Sequence, residues 1–289
     1  MDFIITFDPR SGSTFVSKIL TEKFNSAVLP ESNFVFFIQK YSNDKKNLIE
    51  KLLDEEKFKS FKINKKKLRI IINKEYPNIK KIISVISKTA TKNIYKKNNI
   101  IIGSKKLQIE KTEELLNLFK KIKLIHLVRD PRNIHLSKIK VSKINKRLSG
   151  SIFMNIYMWV KILNEIEKIK KKYNQRIKIF KYENIVTDTL FFEKSIKNFL
   201  KLKNDYSKNY FLPKNQKKIH LNLNKENFKQ IPNSYNNRLN FFEKFFFKLL
   251  CYNYLLKYGY ENKKNYFCLI SSKIFSKIVN IFTFLKKSK

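Results

Sequence analysis

Phe3-Ile4-Ile5-Thr6-Phe7-Asp8-Pro9-Arg10-Ser11-Gly12-Ser13-Thr14-Phe15 is the stretch whose reading decides the fold. Five residues of near-continuous apolar character predict a strand buried on both faces, the pattern of a parallel sheet. Asp8-Pro9 ends it. Phe15, Val16, Ile19 and Leu20 then recur at helical spacing, so a helix is predicted to open at Ser13 or Thr14. Gly12 lies in the turn between the two elements, where a backbone free of Cβ lets successive N–H groups converge on one anion. The helix start beyond it adds the positive end of a dipole. Arg10 brings a full charge, and Ser11, Ser13 and Thr14 bring hydroxyl donors. No Gly-Lys-Ser/Thr follows, so the Walker signature of ATPases and GTPases is missing from this loop.

Further short apolar runs read as strands: Ala27 to Leu29, Ile100 to Gly103, Leu124 to Val128 and Ile177 to Tyr182. Helical segments are predicted between them, at 113–121, from about Asn133, over 152–172 and over 190–202, with a last one from Phe241 to Tyr258 closed by Gly259. Alternating strands and helices predict an α/β, P-loop-like three-layer fold, a central parallel sheet flanked by helices. In such folds ligands sit beyond the carboxyl ends of strands. The chain divides into a main domain over 1–262 and a tail over 263–289. Within the first, 36–98 is a Lys-rich helical region that reads as the acceptor side, and 203–237 reads as polar loop.

A second motif follows the fourth predicted strand: Leu124-Ile125-His126-Leu127-Val128-Arg129-Asp130-Pro131-Arg132, with Ser137 eight residues after Arg129. An Arg and a hydroxyl at a strand end suit a terminal phosphate. The arginines carry information because the chain holds only seven, against 56 lysines. A chain that uses Lys as its ordinary cation and keeps Arg10, Arg129 and Arg132 in two short motifs suggests a need for a planar, bidentate group there. The net charge of +40 favours anionic ligands. The abundance of Lys alongside Asn, Ile, Phe and Tyr fits a composition bias better than a nucleic-acid interface, which calls for basic residues clustered with exposed aromatics.

The two motifs, in this order, resemble the cofactor-binding segments of the PAPS-dependent sulfotransferase family (PAPS is 3′-phosphoadenosine-5′-phosphosulfate). The first is similar to that family's 5′-phosphosulfate loop, in the bacterial and Golgi-like variant beginning Pro-Arg-Ser-Gly, and the second to its 3′-phosphate segment. Gly103-Ser104-Lys105, Phe180-Lys181-Tyr182-Glu183-Asn184 and Lys257-Tyr258-Gly259-Tyr260-Glu261 are weaker matches. The resemblance implies that Arg10 and the Ser11, Gly12, Ser13 and Thr14 loop hold the 5′-phosphosulfate, and that Arg129 and Ser137 hold the 3′-phosphate. It implies sulfonyl transfer from PAPS, without a metal, to a hydroxyl or amine of an acceptor such as a glycan or lipid-linked sugar. The catalytic His of the cytosolic small-molecule branch has no counterpart after Gly103. Glu31, after Pro30, is the expected base, with Arg10 and Lys105 supplying charge. The alternatives are a P-loop-type small-molecule kinase and a basic nucleic-acid-binding protein.

Other residues read as structural. His126 is expected in the core, His135 partly exposed, and Trp159 packed in the core. Asp130 and Arg132 are expected to brace their loop, and His220 and Arg238 to lie near the cofactor. Cys251 and Cys268 have no metal-ligand spacing and predict no disulfide. With no signal peptide before Phe3, this suggests a reducing cytoplasm. No uninterrupted apolar run is long enough to span a bilayer. The tail, however, repeats Phe267, Ile270, Ile274, Phe275, Ile278, Ile281, Phe282 and Leu285 at helical spacing, with Lys273, Ser276, Lys277 and Asn280 on the other face. Such a basic amphipathic helix either docks on its own domain or makes peripheral contact with a membrane.

Overall fold

The computed structural model describes residues 1–96, 100–106, 109, 111–142, 150–206, 211 and 235–287. His220 and most of the expected 203–237 loop lie outside the described residues. Five strands, β1 (Phe3–Phe7), β2 (Ser26–Leu29), β3 (Ile101–Lys106), β4 (Lys123–Val128) and β5 (Ile177–Lys181), form one sheet in the order β2-β3-β1-β4-β5. Every pairing is parallel. This is the predicted α/β architecture.

The central strand explains the continuous apolar run. Phe3, Ile5 and Phe7 pack into one core layer with Val16, Leu20, Phe192 and Ile196. These last come from α1 (Ser13–Lys23) and α10 (Thr189–Leu200), which lie beside the short α9 (Tyr182–Thr187). Ile4 faces the opposite layer, the larger one. That layer is built by α2 (Phe34–Lys40), α3 (Lys45–Asp54), α4 (Lys65–Glu75), α5 (Ile79–Tyr95), α6 (Thr112–Leu118), α8 (Ile152–Lys172) and α11 (Phe241–Lys257), with α7 (Pro131–Ser142) leading into α8. The chain leaves β1 on one face through α1 and leaves β4 on the other through α7 and α8. Strand order therefore reverses beside β1, which is where an open α/β sheet forms its ligand crevice.

Two expectations change. The third strand does not stop at Gly103: Ser104, Lys105 and Lys106 continue it, paired in register with Ile4, Ile5 and Thr6 of β1. The apolar run ends early because the strand end is a polar site, not because the strand ends. Gly103 sits opposite Phe3, whose ring would meet an added Cβ at 2.1 Å. The helix expected over 113–121 covers Thr112–Leu118 only, and Phe119 folds into the core.

The last helix, α12 (Tyr266–Lys287), runs against α11 and α8. Its polar side, rather than its apolar stripe, is seated on the domain. Ser272, Ser276 and Asn280 face the domain: Asn164 of α8 donates to the Ser276 carbonyl at 2.9 Å and to Asn280 Oδ1 at 2.8 Å, and accepts from Ser276 Oγ at 2.6 Å. The large apolar side chains point outward. The sequence reading of the tail also needs amending, since Tyr266–Leu285 has the length and composition of a membrane-crossing helix despite Lys273 and Lys277. Cys251 and Cys268 are both free and buried.

Candidate functional site

The carboxyl ends of all five strands carry the residues singled out by sequence. The loop after β1 holds an unusual backbone: Arg10 and Gly12 both adopt positive φ, 79° and 85°. A non-glycine residue there costs about 1–3 kcal/mol and persists where surrounding contacts enforce it. One such contact is a 3.1 Å bond from the Ser11 N–H to the Asp8 carbonyl. Beneath the loop, Asp8 forms a buried ion pair with Lys138 of α7 at 2.7 Å. Burial pushes the Asp8 carboxyl above its usual range, with Lys138 opposing. Gly12 serves as N-cap of α1 without any side-chain cap hydrogen bond.

Gly12 is also a contact requirement. The ring of Tyr182, at the end of β5, would meet a Cβ there at 2.2 Å. The same ring lies 4.6 Å from the Arg129 guanidinium. Tyr182 thus touches both motifs. Sequence placed Tyr182 in one of the weaker matches but gave it no role in the site.

The two motifs meet directly. Arg10 Nε donates to Ser137 Oγ at 3.0 Å, and Arg129 Nη1 donates to the Arg10 carbonyl at 2.7 Å. Among the described residues neither arginine has a carboxylate partner within 4 Å. Arg10 is driven below its usual pKa by burial and by the neighbouring Arg129 charge. Buried atoms lack partners as well: Arg129 Nε and Ser11 Oγ have none among the described residues. Two adjacent guanidiniums, unneutralised and with donors to spare, are the electrostatic signature of an anion site.

Around this pair the second motif is braced. Trp159 of α8, buried as expected, donates its indole N–H to the Arg129 carbonyl at 3.1 Å. Arg132 pairs with Asp130 at 2.8 Å and with Glu261 at 2.5 Å. Glu183 accepts from the Asp130 N–H at 3.1 Å and from the Tyr260 hydroxyl at 2.8 Å. The two weaker sequence matches, at 180–184 and 257–261, therefore converge on the Arg129 loop. His126 is a core histidine bonded to Thr6 Oγ1 at 2.9 Å, with burial lowering its pKa to about 3. His135 departs from expectation: it is buried, 2.9 Å from Asn155 and 3.5 Å from Glu243, because α11 packs over α7. Arg238 lies exposed in a turn beside Tyr235.

The other half of the site lies at β2 and β3. Lys105 shares a sheet face with Gly103 and with Ile5, its register partner, the face covered by α1. It is 3% exposed. Burial lowers its pKa to about 8, with Glu31 opposing and Lys57 adding to the fall. Glu31 forms an ion pair with Lys57. Glu55, at the end of α3, fixes the turn after Glu31 by accepting from Ser32 Oγ at 2.5 Å and the Asn33 N–H at 2.7 Å. Burial raises its pKa, with those bonds opposing. Neither Lys57 nor Glu55 was legible. Both come from the Lys-rich helical segment, where no spacing marks them.

Fold and site together define an α/β protein with two uncompensated arginines gathered at the strand ends of a parallel sheet. The Sulfotransferase family model matches residues 2–206, more than two thirds of the chain, and the chain belongs to that family. Among solved structures it is similar to the sulfotransferase domain from the Synechococcus PCC 7002 olefin synthase, at 18% identity and TM-score 0.50 over 71% of this chain and 74% of that one. It is also similar to the sulfotransferase domain from the curacin biosynthetic pathway, at 16% and 0.49 over 71% and 75%. A third is a mouse sulfotransferase, SULT7A1, complexed with PAP, at 13% and 0.47 over 85% and 81%. The Synechococcus likeness, at this identity, is one of fold. Among curated proteins none matches the sequence. The small-molecule kinase reading is not favoured.

Proposed function

We propose that the protein transfers a sulfonyl group from PAPS to a hydroxyl or amine of an acceptor. The observation that carries this is the pair of uncompensated arginines at the strand-order reversal, Arg10 bonded to Ser137 Oγ and Arg129 bonded to the Arg10 carbonyl. Their unpartnered donors fit a nucleotide with phosphate at both ends. In this reading Arg129 and Ser137 take the 3′-phosphate. Arg10 and the loop of Ser11, Gly12, Ser13 and Thr14 take the 5′-phosphosulfate. Arg10 must then give up its bond to Ser137 in favour of the ligand.

PAPS supplies the activated sulfonyl group. The chain's own residues orient it and manage charge and proton. Lys105 and Arg10 stabilise negative charge growing on the leaving phosphate oxygen, the preorganised electrostatics that dominate transfers of this kind. Glu31 takes the acceptor proton as the nucleophile attacks. Its pairing with Lys57 holds the carboxylate in place. The helical segment of α2 to α5 bears Lys57 and Glu55 and shapes the acceptor side. The acceptor class we favour is a glycan, a lipid-linked sugar or a lipid.

Two measurements test this. PAP, the desulfonated product, is expected to raise Tm well beyond ATP or an oligonucleotide. Incubating protein, PAPS and cell extract is expected to yield a product heavier by one sulfonyl group in mass spectrometry. Equal stabilisation by ATP and PAP would overturn the donor assignment.

A further inference from the structure

On α12 the ordinary arrangement of an amphipathic helix is inverted. Cys268, Ser272, Val279 and Thr283 are buried against the domain, and Ser276 and Asn280 bond to Asn164. Phe267, Ile270, Ile274, Ile278, Ile281, Phe282 and Leu285 are each more than two-fifths exposed. Their spacings of three and four place them in one stripe about 100° wide along the helix. Soluble proteins rarely leave a continuous apolar stripe of this kind uncovered. Exposed Lys273 and Lys277 run along one border of it.

The patch extends beyond this helix. Asn253 of α11 bonds to Ser272 at 3.0 Å, and the two helices run antiparallel from there. At about 1.5 Å per residue, the start of α11 then lies level with the end of α12. That start exposes Phe241, Phe242 and Phe245. Phe153, exposed at the start of α8, packs on Phe246 at 5.0 Å, and its neighbour Met154 is exposed too.

We propose that this face, α12 with the first turns of α8 and α11, docks in the plane of an anionic lipid bilayer. Charge selects this occupant. Each copy of the chain carries +40, so apposing two copies would set the Lys273 and Lys277 rows of both against each other, whereas an anionic headgroup layer neutralises them. The bonds from Asn164 and Asn253 hold the inner side of α12 on the domain, so the helix lies along the surface with its outer stripe immersed. This inference does not depend on the donor chemistry.

Co-sedimentation of the whole chain with phosphatidylcholine vesicles, and with vesicles of phosphatidylcholine and phosphatidylglycerol at 3:1, tests it. Binding is expected to the second and to be at least tenfold weaker to the first. The double variant Ile278→Asn, Phe282→Asn replaces exposed residues only. It is expected to keep its Tm and its stabilisation by PAP while losing at least tenfold in vesicle binding. Undiminished binding by the variant would mean plain charge attraction and would overturn the proposal. So would a wild-type dimer in light scattering that the double variant converts to monomer, since the face would then belong to a second copy.

Discussion

The two halves of the strand-end site handle charge in opposite ways. Around β1 and β4, Arg10 donates to the Ser137 hydroxyl and Arg129 to the Arg10 carbonyl, and neither has a carboxylate partner among the described residues. Around β2 and β3, Glu31 is paired with Lys57 and acts on the charge of Lys105. One half carries uncompensated positive charge and the other is balanced by itself. On the proposed function, a doubly phosphorylated donor belongs with the first and a neutral acceptor, giving up a proton, with the second.

Removing function from one half while sparing the other is the direct test. Glu31→Gln is expected to lower the transfer rate by about 10²–10⁴-fold, with stabilisation by PAP intact. A matching loss of PAP binding would erase the division. Next in size is Arg129→Met. Hydrogen bonds to charged groups contribute about 1.5–3 kcal/mol each, so PAP affinity measured by calorimetry should fall by roughly 10–100-fold. Unaltered affinity would detach Arg129 from the donor.

A smaller effect probes the hinge between the motifs. Gly12→Ala adds a Cβ at 2.2 Å from the Tyr182 ring, on a backbone at φ 85°. Overpacking of this order costs about 1–3 kcal/mol, seen as a Tm lowered by several degrees. Tyr182→Ala in the same chain should recover part of it, and a purely additive double variant would disprove the contact.

The finest distinction lies in pH. Lys105 is protonated below about 8 and loses its charge above, well before the ordinary lysine value of 10.5. The alkaline limb of kcat/KM is therefore expected near pH 8, and Lys105→Arg should move it higher. Stability runs the other way. With the folded pKa below the unfolded one, the unfolded chain holds more protons between about 8 and 10.5, so the contribution of this group to stability rises with pH there. A pH-independent kcat/KM across this range would remove Lys105 from the charge-stabilising role.

Much of the scaffold was open to reading because buried parallel strands write themselves as short apolar runs. Phe3 to Phe7 and Leu124 to Val128 needed no further context. Arg10 and Arg129 stood out because arginine is scarce here, and their adjacency followed once both lay at strand ends. What stayed hidden has physical causes. Lys57 is one lysine among 56, and its partner Glu31 is 26 positions away, so no local pattern joins them. Lys105 looked like loop because Ser104-Lys105-Lys106 breaks the apolar run, although β1 continues to hydrogen-bond that segment. For α12, periodicity announced two faces but could not say which turns inward. That was settled by Asn164, a buried amide that needs polar partners.

The bond between Trp159 and the Arg129 carbonyl carries a practical consequence. This indole is the chain's single tryptophan, and it lies in contact with the backbone of the Arg129 loop. On the proposed function its emission is an internal gauge of that loop, able to follow nucleotide arrival and departure in real time without any attached dye.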